Sequence, residues 1–321
     1  VSVPALLAAA VLLTVSIPLW LPLALLADAV RLRFRFPIAR LLAFGLGWAW
    51  LETAGVLAAS ALWVTGRSRN QRLHYGLQRW WATNLMGVLK ATTGIRVEAE
   101  GVEAFSPGPV VALCRHASLA DSLVSAYVII ALADKRPRYV LKRELLADPC
   151  LDIVGQRLPN HFLDRGATDT VPELRALTAL MDGLGERDCA VIFPEGTRAN
   201  PAKRARALEK LGERDPERAE RLSVLTTLLP PRPAGARAML HGAPDADVVL
   251  CWHIGFDGLD TFGGILRHLS RPLRPIRFVA RRVERASLPD VDDTDAFTRW
   301  LDDRWVEFDA EARAALDTPP I

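Results

Sequence analysis

The chain has little cysteine. Four thiols stand in 321 residues, at Cys114, Cys150, Cys189 and Cys251, and no two have Cys-x-x-Cys spacing. That scatter excludes a disulfide framework and offers no pair spaced to hold structural zinc, so no metal site is expected. Each cysteine lies in or beside apolar sequence and reads as a small buried hydrophobe in a reducing compartment. Strong net charge is also missing: 40 Lys and Arg against 37 Asp and Glu leave +3, with a pI near 8.8. No basic block is interleaved with aromatics, so a nucleic-acid partner is not expected. A mild basic excess instead suits an anionic lipid surface. There is no Gly-x-Ser-x-Gly turn to supply a serine nucleophile on an α/β sheet.

Charge is absent altogether from residues 1–27, and residues 41–66 contain only Glu52. These two stretches account for a positive mean hydropathy of +0.14 in a chain that is 24% charged. Residues 4–27 are long enough to cross a bilayer core, and Pro18 and Pro22 should kink them near the middle. A signal peptide would show a basic start and a small-residue cleavage site after a shorter core. Neither is present, so a retained anchor is expected.

The second stretch carries Trp48, Trp50 and Trp63 as interface anchors, and Glu52 needs a partner or a shallow position. Burial in a soluble core is the other reading of this segment. Arg31, Arg33, Arg35 and Arg40 precede it and Arg67, Arg69 and Arg72 follow it. With both flanks basic, charge does not decide between crossing the bilayer and re-entering it; a helical hairpin would keep both flanks on one side. Residues 70–91 continue as an amphipathic helix, which could lie along headgroups or cover a catalytic core. The expected division is 1–68 for membrane-associated helices and 69–321 for a catalytic domain.

From Ile95 onward the pattern becomes α/β. Residues 95–101 alternate like a strand, and residues 109–113 and 189–192 are short apolar runs suited to buried strands. Residues 160–166 read as another strand, and residues 168–185 as an amphipathic helix capped by Thr168-Asp169-Thr170. Residues 202–221 form a charged helix, solvated or placed near donor phosphates, and the tail from Ala280 reads as helical and acidic over 290–295. The fold expected is a mixed, largely parallel sheet flanked by helices, preceded by a hydrophobic helical hairpin.

Two motifs carry chemistry. Phe193-Pro194-Glu195-Gly196-Thr197-Arg198 follows the apolar run ending at Ile192. A tight turn with backbone N–H groups, a carboxylate, a hydroxyl and a guanidinium is a cradle for phosphate. Upstream, His116 is followed by Asp121 five positions on, at the C-terminal end of a strand where ligands gather in open α/β sheets. On a regular helix that spacing would put the two on different faces. A turn over 116–119, with the helix beginning near Ser118 or Leu119, would let Asp121 accept the Nδ1 proton of His116 and leave Nε2 to take a proton from a hydroxyl. None of the other five histidines has an Asp at this spacing; His253, with Asp257 four residues later, comes nearest.

In this order the motifs resemble the glycerolipid acyltransferase family, particularly lysophosphatidate and related lysophospholipid acyltransferases. His116 and Asp121 match its H-x-x-x-x-D block, Phe162-Leu163-Asp164-Arg165 its second block and Phe193 to Arg198 its third. Leu229-Pro230-Pro231-Arg232-Pro233-Ala234-Gly235 and Trp300-Leu301-Asp302-Asp303-Arg304-Trp305 resemble segments of its longer-chain branch. The likeness spans about residues 90–310. Arg115 stands where the family usually has Asn, Pro159 where it has Gly, and residues 248–256 lack the proline or aspartate of its fourth block.

The resemblance implies that His116 is a general base and Asp121 its orienter. It implies that Arg165, Glu195, Gly196, Thr197 and Arg198 bind the acceptor's phosphate, with Glu195 fixing an arginine or the turn itself rather than touching phosphate. A lysophospholipid hydroxyl, expected to be that of lysophosphatidate, would attack an acyl thioester of coenzyme A or acyl-carrier protein in one step, with no acyl-enzyme and no cofactor. The implied location is a membrane of the bacterial inner-membrane kind, with the catalytic domain on the cytoplasmic side. A hydrolase using the same His/Asp pair on water, and a catalytically silent membrane adaptor, are the rival readings.

Overall fold

A computed structural model describes residues 3–117, 121–164, 170–255 and 262–317. In chain order the helices are α1 (Val3–Val15), α2 (Ile17–Val30), α3 (Pro37–Val64), α4 (Gln71–Thr93), α5 (Asp121–Ala126), α6 (Pro149–Gly155), α7 (Val171–Ala179), α8 (Pro201–Gly212), α9 (Pro216–Leu222), α10 (Pro233–Gly242), α11 (Phe262–Leu269) and α12 (Thr294–Asp317). The strands are β1 (Val97–Glu100), β2 (Val110–Cys114), β3 (Arg136–Lys142), β4 (His161–Leu163), β5 (Asp188–Ile192), β6 (Asp247–Ile254) and β7 (Ile276–Val283). They divide between two compact units, one of residues 1–97, 142–160 and 258–275, the other of residues 98–141, 161–257 and 276–321.

The first unit is helical. α1 and α2 bend by 71° at their break, which falls at Ser16, whose hydroxyl donates back to the Leu12 carbonyl at 2.6 Å. Pro18 lies in the first turn of α2, and Pro22 inside it. The bend expected at the two prolines therefore sits just ahead of them, because the first turn of a helix tolerates a residue without an N–H. By length and composition α3 can cross a membrane, and α1 with α2 forms a second candidate if the bent pair counts as one span. The buried Asp28 carboxylate accepts from Ile38 N and Ala39 N at 2.9 and 3.3 Å, satisfying orphan donors at the start of α3. Glu52 is buried on α3 and accepts from Trp81 Nε1 at 2.8 Å, the partner its position requires. Asn70 caps α4 through Leu73 N, and Gly94 ends it in the left-handed region.

The second unit is built on a seven-stranded sheet in the order β1-β7-β6-β2-β5-β3-β4. β6, β2, β5 and β3 run parallel, and β7 is antiparallel to β6. β2 is buried at every position, as a central parallel strand covered on both faces must be. Val111, Leu113, Ala190, Ile192, Val248 and Leu250 on three adjacent strands pack with Met239 of α10 and Trp305 and Phe308 of α12 in one core. This is the mixed, largely parallel sheet with flanking helices that the pattern implies.

Three local expectations are corrected. Residues 276–283 form β7, so the tail turns helical only at α12. The charged stretch 202–221 is two helices, because Asp215 caps a new start at Pro216 through Arg218 N. α7 starts at Val171, and Thr170 makes no side-chain cap bond; Thr168 and Asp169 lie outside the described residues.

Candidate active site

β2 ends at Cys114, and α5 opens with Asp121 in its first turn. His116 Nδ1 lies 2.8 Å from Asp121 Oδ2, and the same oxygen accepts from Ala117 N at 2.5 Å. Asp121 is fully buried, while the His116 side chain keeps 12% of its surface open. A carboxylate can only accept, so the proton between them resides on Nδ1 and the lone pair lies on Nε2. The two side chains thus meet across a spacing that a regular helix would not close; residues 118–120 between them lie outside the described residues.

β5 lies beside β2, with Leu113 in register with Ile192, so the two motifs emerge side by side. The Phe193 ring centroid is 5.0 Å from that of His116. Glu195 Oε1 accepts from His116 N at 2.7 Å, and Ala199 N donates to the His116 carbonyl at 2.8 Å. The histidine backbone is thus gripped from both ends by the 195–199 turn. Glu195 Oε2 accepts from Leu229 N at 2.9 Å, and Arg232 N donates to the Pro194 carbonyl at 2.9 Å. Glu195 is 2% exposed with both oxygens engaged by backbone amides. This geometry supports fixing the turn, the second of the two roles raised for Glu195, over contact with phosphate. Burial pushes its carboxyl up to about 8, against the opposing pull of His116 N–H, the nearby Arg115 charge and Leu229 N–H.

Gly196 has φ of +69°, and a Cβ there would stand 3.3 Å from Arg232 Nη1. A side chain at 196 would be both strained and pressed against that guanidinium. Lys203 Nζ donates to Thr197 Oγ1 at 3.2 Å and to the Arg198 carbonyl at 3.3 Å. Arg198, Lys203 and Arg232 therefore converge on one turn. Arg165 lies outside the described residues. Lys203 and Arg232 were not among the candidate phosphate ligands. Lys203 looked like one charge among many on an exposed helix, and Arg232 was visible only as part of a motif.

The 229–232 segment is itself fixed from α12. Asp309 accepts from Thr226 N and Oγ1, Thr227 N and Oγ1, and Leu228 N, all at 2.6–2.7 Å. These bonds hold its carboxyl below the ordinary range, outweighing burial, the largest single influence. Arg218 makes a bidentate pair with the buried Asp302 and donates to the Pro231 carbonyl. Among the described residues no group of His, Cys, Asp and Glu is arranged to hold a metal.

Residues 96–249, just under half of the chain, match the family model described as Acyltransferase. Among solved structures, the 1-acyl-sn-glycerophosphate (LPA) acyltransferase PlsC of Thermotoga maritima is similar, at 16% identity and a TM-score of 0.44, over 80% of this chain and 94% of that one. No curated protein matches by sequence.

Proposed function

We propose that the chain transfers an acyl group from a thioester of coenzyme A or acyl-carrier protein to the free hydroxyl of lysophosphatidate, giving phosphatidate. One observation carries the proposal: the His116–Asp121 pair is hydrogen-bonded to the 195–199 turn, which supports reading a base beside a phosphate-holding turn. His116 Nε2 takes the proton of the acceptor hydroxyl as its oxygen attacks the thioester carbonyl carbon. The C–O bond forms, the C–S bond breaks, and the imidazolium returns the proton to the departing sulfur. Asp121 holds the tautomer and stabilises the imidazolium. The acceptor's own alcohol fills the place of a nucleophilic side chain.

The acceptor's phosphate lies against the turn at Gly196-Thr197-Arg198, with Arg165 contributing from the second motif and Lys203 and Arg232 adding charge beside it. Glu195 acts as the clamp that places His116. The apolar helices α1 to α3 attach the enzyme to a membrane, with the acyltransferase domain on the cytoplasmic side of a bacterial inner membrane. There the lipid acceptor is already concentrated.

The test is a panel of lysolipids offered to purified full-length protein with radiolabelled acyl-CoA and, separately, acyl-carrier protein. Lysophosphatidate should be the preferred acceptor, by a margin that shrinks in Arg198→Ala. Equal use of lysolipids lacking a terminal phosphate would remove the phosphate cradle from the proposal. Free fatty acid as sole product would make the protein a hydrolase.

A further inference from the structure

The oxygen of Asp121 that does not face His116 faces a second imidazole. His253, near the end of β6, places Nε2 3.3 Å from Asp121 Oδ1, and both side chains are buried, at 2% and 0% exposure. The separation is longer than a charge-assisted hydrogen bond, so in the resting enzyme it is an electrostatic contact. His253 is held at its ring and at its backbone. It stacks near Phe278 of β7, with centroids 6.4 Å apart and planes 13° from parallel, and Arg115 Nη1 donates to the His253 carbonyl. Arg115 is buried as well, so the residue just before the base also fixes the strand that brings in the second histidine.

We propose that His253 is a positioning residue for acyl transfer, acting on His116 through the shared carboxylate of Asp121. The proposal rests on the general-base reading given above. A buried carboxylate anchored by one oxygen is free to turn about its Cβ–Cγ bond; an N–H facing the other oxygen sets its plane, and with it the direction of the bond to Nδ1 of His116. The second effect is on charge. An isolated buried carboxylate would hold the His116 proton tightly and leave the base already protonated. A donor on Oδ1 takes up part of that charge and keeps His116 able to cycle. Besides His116 and His253, Glu195 lies within electrostatic reach of Asp121, and Arg115 within reach of Glu195; on β7 the residue against the His253 ring is Phe278, which carries no charge.

The test uses the full-length protein with lysophosphatidate and acyl-CoA, in the variants His253→Ala and His253→Gln. Gln can place an amide N–H near the position of Nε2, whereas Ala cannot. In His253→Ala, kcat should fall about tenfold with KM little changed, and the acidic limb of kcat should move to higher pH. His253→Gln should recover most of the rate and return the limb. A merely structural histidine would lower thermal stability in both variants and leave the limb in place, which would overturn the proposal, as would a rise in KM alone.

Imidazole NMR separates this outcome from failure of the acyl-transfer reading. The proton bridging His116 Nδ1 and Asp121 should shift in His253→Ala and recover in His253→Gln even if no lysolipid is turned over, and an unmoved resonance overturns the role. Should neither variant fold, the wild-type 15N spectrum decides. A protonated Nε2 on His253 is expected, and a bare one overturns the assignment.

Discussion

Replacing Glu195 by Gln looks conservative and should not be. Both carboxylate oxygens accept from backbone amides, His116 N at 2.7 Å and Leu229 N at 2.9 Å, in a site almost closed to solvent. An amide side chain must turn its NH2 toward one of those N–H groups, leaving a buried donor facing a donor. The cost of such an unsatisfied group is about 1–3 kcal/mol. At roughly 2–4 °C of Tm per kcal/mol for a chain of this size class, a melting scan will resolve it.

The pH dependence gives a second signature. The folded pKa of Glu195 is raised to about 8 from an ordinary 4.5, so the native state keeps a proton that the unfolded chain releases. Its contribution is full below about pH 4.5 and is lost as pH rises toward about 8. The Tm gap between wild type and Glu195→Gln should therefore narrow over that range. Because the clamp holds the His116 backbone, kcat should fall about 10- to 100-fold, the penalty typical of a small misplacement of a reacting group. Unchanged Tm and kcat with a raised KM for the phosphorylated acceptor would refute this reasoning and make Glu195 a substrate contact.

Further expectations can be checked on the same protein. His116→Ala should abolish acyl transfer while circular dichroism and membrane association stay as in wild type; a folded variant that still turns over would remove the base. Arg198→Ala should raise KM for lysophosphatidate with a smaller change in kcat, and Lys203→Ala should do the same more weakly, both read by steady-state kinetics. Asp309→Ala removes the acceptor of five hydrogen bonds and should cost about 2–4 kcal/mol, measured by denaturant unfolding. The Asp309 carboxyl is held below its ordinary range, so its contribution is present above about pH 4 and is lost as pH falls through the folded value. The stability difference between wild type and Asp309→Ala should accordingly shrink in acid.

How much of this was legible beforehand follows from the range of the interactions involved. Buried parallel strands such as β2 and β5 announce themselves as short apolar runs, and α4 as an amphipathic period over residues 70–91. The His116–Asp121 contact was legible as a pair that a turn could bring together, and the two side chains do meet; the expected helix start near Ser118 or Leu119 lies outside the described residues. β7 was missed because residues 276–283 mix three arginines into a strand lying near the sheet edge, where one face can stay wet. The kink expected near the middle of residues 4–27 falls at Ser16, just ahead of Pro18 in the first turn of α2. Lys203 and Arg232 could not be seen as neighbours of Thr197 and Gly196, since nothing local to an exposed helix or a proline-rich loop states what it folds against. The same holds for His253 and Asp121, 132 residues apart and joined only through the order of β6 beside β2.

The most direct measurement of the central claim is product analysis by mass spectrometry, with purified wild type and His116→Ala each given lysophosphatidate and isotopically labelled acyl-CoA. Wild type should yield labelled phosphatidate and free coenzyme A in equal amounts, and His116→Ala neither. Labelled phosphatidate from a folded His116→Ala protein, or labelled fatty acid alone from wild type, would contradict the account.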